Sequence, residues 1–226
     1  MSTLIKEVEA HASERLVLAE GQTPAAELAR YKRFLKDEAA RLKKLHRGGG
    51  LGREVCHARA AVIDALIRHL IDTAIRLAPL GKFKSPPAIA VVAIGGYGRE
   101  ELNPQSDIDI LFLCDDRLLA KPKPEEFLQS VTDTVLYTLW DVGLKIGHSV
   151  RRVRDCVGEA NKDMQSKTAL IESRRVAGDE SLFKKMEHAV HTKCVKPYVA
   201  DYIVARLEDQ AGRRAKYGNA VTMQEP

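Results

Sequence analysis

An apolar run, Val91-Val92-Ala93-Ile94, breaks at Gly95-Gly96-Tyr97-Gly98-Arg99 and is followed by Ser106-Asp107-Ile108-Asp109-Ile110-Leu111-Phe112-Leu113. No other stretch restricts the fold as tightly. The pattern predicts strand, glycine turn, strand. Alternation along the second strand places Asp107 and Asp109 on one face, while Ile108, Ile110 and Phe112 point the other way into an apolar core. Two acids on one face of a buried strand need a counter-charge. A divalent metal supplies it, and Mg²⁺ in particular takes one or two carboxylates together with substrate phosphates.

The glycines complete the constellation. Gly95 and Gly96 let the backbone approach a ligand that a β-carbon would obstruct, and successive backbone N–H groups in such a turn cradle phosphate. No Gly-Lys-Ser/Thr follows, so the turn is not a P-loop, and Glu101 stands where a dinucleotide-binding fingerprint needs its third glycine. A lone Gly-Gly is weak evidence. Gly-Gly closing one strand about ten residues before Ser-Asp-Ile-Asp opens the next is the arrangement of a metal-dependent nucleotidyl-transfer site; the bland alternative is a hairpin whose acids are solvated.

The run Gly-Gly-Tyr-Gly-Arg-Glu-Glu-Leu-Asn-Pro-Gln-Ser-Asp-Ile-Asp-Ile-Leu-Phe-Leu (95–113) closely resembles the nucleotidyltransferase domain of the bifunctional uridylyltransferase/uridylyl-removing enzymes that modify the PII nitrogen-signalling protein. Gly-Leu-Lys-Ile-Gly-His-Ser-Val-Arg (143–151), Thr-Ala-Leu-Ile-Glu-Ser-Arg (168–174) and Lys-Tyr-Gly (216–218) before Gln-Glu-Pro (224–226) resemble that family in the same order. The similarity spans at least residues 53–226.

The resemblance implies transfer of UMP from UTP to a tyrosine hydroxyl of PII, with Mg²⁺ or Mn²⁺ as cofactor. In such chemistry two ions about 3.5–4 Å apart activate the attacking oxygen and neutralise the leaving pyrophosphate. Asp107 and Asp109 are the expected catalytic and metal-binding residues. Gly95 and Gly96 are expected to hold the triphosphate, Ser106 to donate a hydroxyl to it, and Arg99 to bind phosphate unless it pairs with Glu100 or Glu101. One departure stands out. Many nucleotidyltransferases of this fold carry a third carboxylate on a neighbouring strand, yet Leu144 to Arg151 contains no acid, and Lys145 stands where one could have pointed inward. Asp141 and Asp155 are the flanking candidates. His148-Ser149 either positions the nucleotide or caps the strand end.

Along the chain, helical periodicity covers roughly 3–20 and 24–46, the second opened by Thr23-Pro24 and Glu27. Leu28, Tyr31, Leu35, Ala39, Leu42 and Leu45 mark its apolar stripe. Its other face carries Arg30, Lys32, Arg33, Lys36, Arg41, Lys43, Lys44 and Arg47 against Asp37 and Glu38, much of the formal charge of +5. A solvated face is the plain reading of this charge; steering of a nucleotide, a nucleic acid or an acidic partner is the alternative. Gly48-Gly49-Gly50-Leu51-Gly52 reads as a flexible turn. A third helix is expected at 53–78, ended by Pro79 and Ser85-Pro86-Pro87. Pro122-Lys123-Pro124 precedes a helix at 125–142 that stops at Gly143. A strand at 144–150 and helices at 152–160, 163–175, 179–193 and 195–215 complete the reading.

Strands alternating with a long helix and flanked by helices indicate an α/β (α+β) core. Combined with the resemblance, the expectation is a polymerase beta-like nucleotidyltransferase core with a small mixed sheet, N-terminal helices and an all-helical C-terminal portion. Three regions are expected: an N-terminal helical region 1–52, the core 53–158 and a helical region 159–226. With aromatic residues at 5% and hydrophobic residues at 45%, packing must rest on Leu, Ile, Val and Ala.

Cys56, Cys114, Cys156 and Cys194 form no C-x-x-C pair and read as reduced residues of a cytoplasmic protein. His188 and His191 lack a third ligand nearby and read as exposed. No apolar run is long enough for a membrane span. Neither a membrane nor nucleic acid is an expected partner. In the family, uridylyl removal belongs to an HD phosphohydrolase domain and glutamine sensing to ACT domains; no His here is followed by Asp, so removal is not expected of this chain, and a truncated sequence is the reading of its end at Gln-Glu-Pro. Two alternatives stand beside uridylyl transfer: an adenylyltransferase acting on glutamine synthetase or a related regulator, and a degenerate nucleotide-binding module that regulates without transfer.

Overall fold

The computed structural model describes residues 3–19, 21–120 and 124–218. Its elements run α1 (Thr3–Arg15), a 3₁₀ turn Pro24–Glu27, α2 (Leu28–Arg47), α3 (Gly52–Leu77), β1 (Ile89–Ala93), the single turn α4 (Gly95–Gly98), β2 (Ile108–Cys114), α5 (Glu126–Asp141), β3 (Ile146–Arg151), α6 (Val153–Lys162), α7 (Met164–Ile171), β4 (Arg174–Gly178), α8 (Glu180–Val190) and α9 (Val199–Tyr217). Local chemistry sets many of the boundaries. Pro24 stands at the first position of its turn, and Gly143, with φ +89, lets the chain turn away after α5. Asp163 and Asp179 accept hydrogen bonds from backbone amides at the starts of α7 and α8. Pro122-Lys123 and Gln224-Glu225-Pro226 lie outside the described residues.

The four strands form one mixed sheet in the order β3-β2-β1-β4. β1 is antiparallel to β2 and to β4, whereas β2 and β3 are parallel. Parallel neighbours require a crossover, and α5 provides it. Both faces of the central strands are buried. On one, Ile89, Val91, Ala93, Ile108, Ile110 and Phe112 join a core built with α1, α2, α3 and α5. On the other, Ala90, Val92, Leu111 and Leu113 pack with Cys156, Phe183, Met186 and Val190 from α6 and α8. Double coverage explains why both strands read as near-continuous apolar runs. Asp109 is the exposed exception in β2.

The helix expected over 163–175 is corrected. It ends at Ile171, and Arg174–Gly178 is a strand paired with β1. A five-residue segment carries too little periodicity to declare itself, and what makes it a strand is the open edge of β1. The C-terminal portion is therefore helical except for one strand returned to the sheet. α1 also stops at Arg15 rather than near residue 20, with Leu16 turned into the core, and α9 begins at Val199, after Pro197.

All four cysteines are free. Burial pushes the Cys114 and Cys156 thiols up to about 12, so both act as packing groups. His188 and His191 are exposed. Among the described residues, no helix is long and apolar enough to cross a membrane.

Candidate active site

The glycine turn and the acidic strand are joined by the last rung of the β1–β2 ladder: the Ile94 N–H donates to the Asp109 carbonyl at 3.1 Å. Gly95 follows at once with φ +60, a left-handed value that a residue with a β-carbon rarely adopts. Gly98 N–H returns to the Ile94 carbonyl and Arg99 N–H to that of Gly95, closing α4. The cap position is Ile94, which has no polar side chain to offer the first amides of the turn. At Gly98 a β-carbon would stand 2.3 Å from the Glu172 carbonyl oxygen, so glycine is required there by packing. At Gly96 it would meet only ordinary contacts, Glu101 O at 3.6 Å and Arg99 Nη2 at 3.9 Å. The chain's own packing does not require glycine at 96.

The turn is held from beneath. Tyr97 is 1% exposed, and its hydroxyl donates to Asp64 Oδ1 of α3 at 2.6 Å. Arg174, from β4, grips both oxygens of the same carboxylate at 2.6 and 3.1 Å and lies over the Tyr97 ring at 5.5 Å. Burial and the neighbouring Asp64 charge raise the Tyr97 hydroxyl well above its ordinary pKa, so it remains a donor. Glu100 has a left-handed backbone, φ +62, and its carboxylate stands 3.6 Å from Arg174. Arg99 donates through Nε to Glu101 at 2.7 Å and through Nη1 to Glu172.

Asp107 and Asp109 are both exposed at the start of β2. In the parallel register Asp109 stands opposite Gly147 of β3, and its carboxylate occupies the space a β-carbon there would take, 2.2 Å from Oδ1. Partial burial and then the charge of Asp107 raise the Asp109 pKa. Among the described residues neither acid has a salt-bridge partner and no third His, Cys, Asp or Glu joins them in a metal-sized cluster. A hard divalent cation fits this donor set, because two oxygen ligands of like charge lack any protein cation between them.

A family model for the nucleotidyltransferase domain matches residues 80–205, a span that contains the glycine turn, both acids, β3 and β4. The chain belongs to the nucleotidyltransferase domain family. A second family model, glutamate-ammonia ligase adenylyltransferase, matches residues 3–138. Among curated relatives, the chain is 34% identical over 200 residues to the bifunctional uridylyltransferase/uridylyl-removing enzyme of Azospirillum brasilense, covering 88% of this chain and 21% of that protein. The same-named enzymes of Rhodospirillum rubrum and Rhodopseudomonas palustris are each 34% identical, covering 78% and 89% of this chain and 18% and 20% of theirs. The chain thus spans about a fifth of the length of these relatives.

In this nucleotidyltransferase domain the structure brings Gly95, Gly96, Arg99 and Asp109 to one end of the β1–β2 pair. Ser106 is half-buried just before Asp107, its N–H bonded to the Asn103 carbonyl at 3.1 Å. Arg99 makes the ion pair with Glu101 that the sequence offered as the alternative to phosphate binding, and a second with Glu172. The flanking acids do not join the pair: Asp155 is bound to Arg152 at the start of α6, and Asp141 ends α5. His148 pairs with Ile110 on the opposite sheet face from Asp109, its ring 5.6 Å from that of Trp140. Sequence reasoning missed Asp64, Gly147 and Arg174. Their one available signal was that Gly147 and Arg174 fall in the 143–151 and 168–174 runs.

Proposed function

We propose that this nucleotidyltransferase domain transfers UMP from UTP to a tyrosine hydroxyl of the PII nitrogen-regulatory protein, releasing pyrophosphate, with Mg²⁺ or Mn²⁺ held by Asp107 and Asp109. The observation that carries the reading is the Ile94–Asp109 rung, which fixes an unpartnered pair of acids beside an open glycine turn. When bound, divalent metal neutralises phosphate charge and activates the attacking oxygen. The protein's residues do the rest by binding and orientation. The Gly95 and Gly96 amides hold triphosphate oxygens, and the Ser106 hydroxyl donates to the same group. Arg99 is already paired through Nε with Glu101 and through Nη1 with Glu172, so only its Nη2, toward Gly96, is left to a phosphate oxygen. The Asp64–Tyr97–Arg174 network limits movement of the turn.

The test is pyrophosphate release with each of the four nucleoside triphosphates, with and without PII, followed by mass spectrometry of the PII peptides. UTP-dependent, PII-dependent release with UMP on tyrosine is expected. The match of residues 3–138 to the adenylyltransferase family supports a second reading, transfer of AMP to glutamine synthetase; preference for ATP with that acceptor would replace the first reading. The two-acid donor set supports the third, binding without transfer; triphosphate binding with no release on either acceptor would select it.

A further inference from the structure

The basic charge of α2 is divided in two by the fold. Arg30 pairs with Glu27, Arg33 with Asp37, and Arg41 with Glu38 and Glu7. Lys32, Lys36 and Lys43 have no salt-bridge partner among the described residues, and they rim a groove of about 680 Å³ between α2, α3 and the loops at 104–105 and 142–144. Leu35, Leu42, Val55, Val142 and Leu144 give it an aliphatic floor. Arg59 of α3 also lines it, half-buried, with Nε closed off from solvent and without a hydrogen-bond partner. Among the described lining residues there is no Asp or Glu. The wall residues Pro104 and Gln105 run directly into Ser106 and Asp107.

We propose that this groove docks an acidic segment of the protein acceptor, with carboxylates against Lys32, Lys36, Lys43 and Arg59 and an aliphatic side chain on the floor. The proposal rests on the transferase reading above and names how the acceptor is held. Charge complementarity selects an anionic occupant, and Arg59 offers a bidentate site to a carboxylate. The floor favours a polypeptide over a nucleic acid, because it is aliphatic and His46 is the one ring among the described lining residues, with no Phe, Tyr or Trp to form a stacking platform for successive bases. Exposed lysines steer association and lose influence as salt rises. A segment seated here lies against the loop that leads to the acids, so acceptor binding and nucleotide binding use adjoining but different surfaces.

The experiment compares the wild-type chain with Lys36→Glu/Lys43→Glu and with Arg59→Met, using Lys184→Glu/Lys185→Glu on α8 as the charge-matched control. In the transfer assay, the double reversal should raise KM for PII by about tenfold at low salt, narrowing as salt is added, while KM for UTP holds. In a second arm, a fluorescent peptide of alternating Glu and Leu should bind the wild type and the α8 control, and bind neither groove variant measurably. If PII is not modified but the peptide behaves in this way, the transferase reading fails and the groove stands. Unchanged KM for PII in the groove variants, peptide binding that they leave intact, or no peptide binding to the wild type overturns the proposal. So does tighter binding of a single-stranded oligonucleotide that the same substitutions abolish.

Discussion

Gly147→Ala isolates the placement of Asp109 from its charge. A β-carbon at 147 would stand 2.2 Å from Asp109 Oδ1 and 3.5 Å from Cγ, whereas ordinary contact begins at 3.4 Å, so Oδ1 must move by about 1.2 Å while Cγ can stay. Gly147 has no positive φ, and alanine suits its backbone. Replacing glycine at a compatible site stabilises by about 0.4–1 kcal/mol, and turning a side chain off its preferred rotamer costs about 0.5–1.5 kcal/mol. The two nearly cancel. The melting temperature should therefore stay within about 4 °C of wild type. Catalysis has no such offset, since a misplacement of about 1 Å at a reacting group costs on the order of a hundredfold in rate. Melts and pyrophosphate-release rates on the same preparations decide the matter. A folded variant with near-normal kcat/KM would refute the placement of Asp109 among the reacting groups, and an unfolded one would make Gly147 a packing residue.

Asp107→Asn and Asp109→Asn remove charge at nearly constant volume, so both variants should fold with equal or higher melting temperature while transfer drops on the order of a thousandfold; near-normal transfer would move the metal site elsewhere. UTP should bind weakly in chelator and clearly more tightly with Mg²⁺ or Mn²⁺ by calorimetry, and equal affinity in both conditions would count against a metal-dependent site. Asp64→Ala strands the partly buried Arg174 charge and should cost about 3–5 kcal/mol in denaturant unfolding, whereas Tyr97→Phe, which removes one hydrogen bond, should cost about 1 kcal/mol; equal small losses would mean that the network does not hold the turn. The Asp155 carboxyl is lowered chiefly by its hydrogen bond from Arg152. Its contribution is thus present above the ordinary carboxylate pKa and lost as pH falls through the lowered folded value, so melts of wild type and Asp155→Asn should converge in acid and separate near neutrality; a gap independent of pH would contradict the pairing.

The sequence by itself determined what depends on neighbours along the chain. Alternation in 107–113 put Ile108, Ile110 and Phe112 on the core face, the 3.6-residue stripe of 28–45 made a helix, and Gly95-Gly96 before Ser106-Asp107-Ile108-Asp109 pointed to phosphate and metal. Periods and turn chemistry are local, so they survive in one dimension. Tertiary structure alone decided what depends on register and contact. β4 is a strand because β1 had an open edge, and nothing within Arg174–Gly178 states that. Gly147 accommodates the Asp109 carboxylate because a parallel pairing sets the two side by side. Asp64 and Arg174, 110 residues apart, meet under Tyr97 because α3 packs across the face of the sheet at its edge strand β4. Among the cations of α2, the pairs Arg30–Glu27, Arg33–Asp37 and Arg41–Glu38 are three or four residues apart and follow from helical spacing, whereas packing alone brought Glu7 of α1 to Arg41 and set Lys32, Lys36 and Lys43 on a groove with α3. Which elements come together is set by the burial of apolar surface over the whole chain, and spacing along one helix does not carry it.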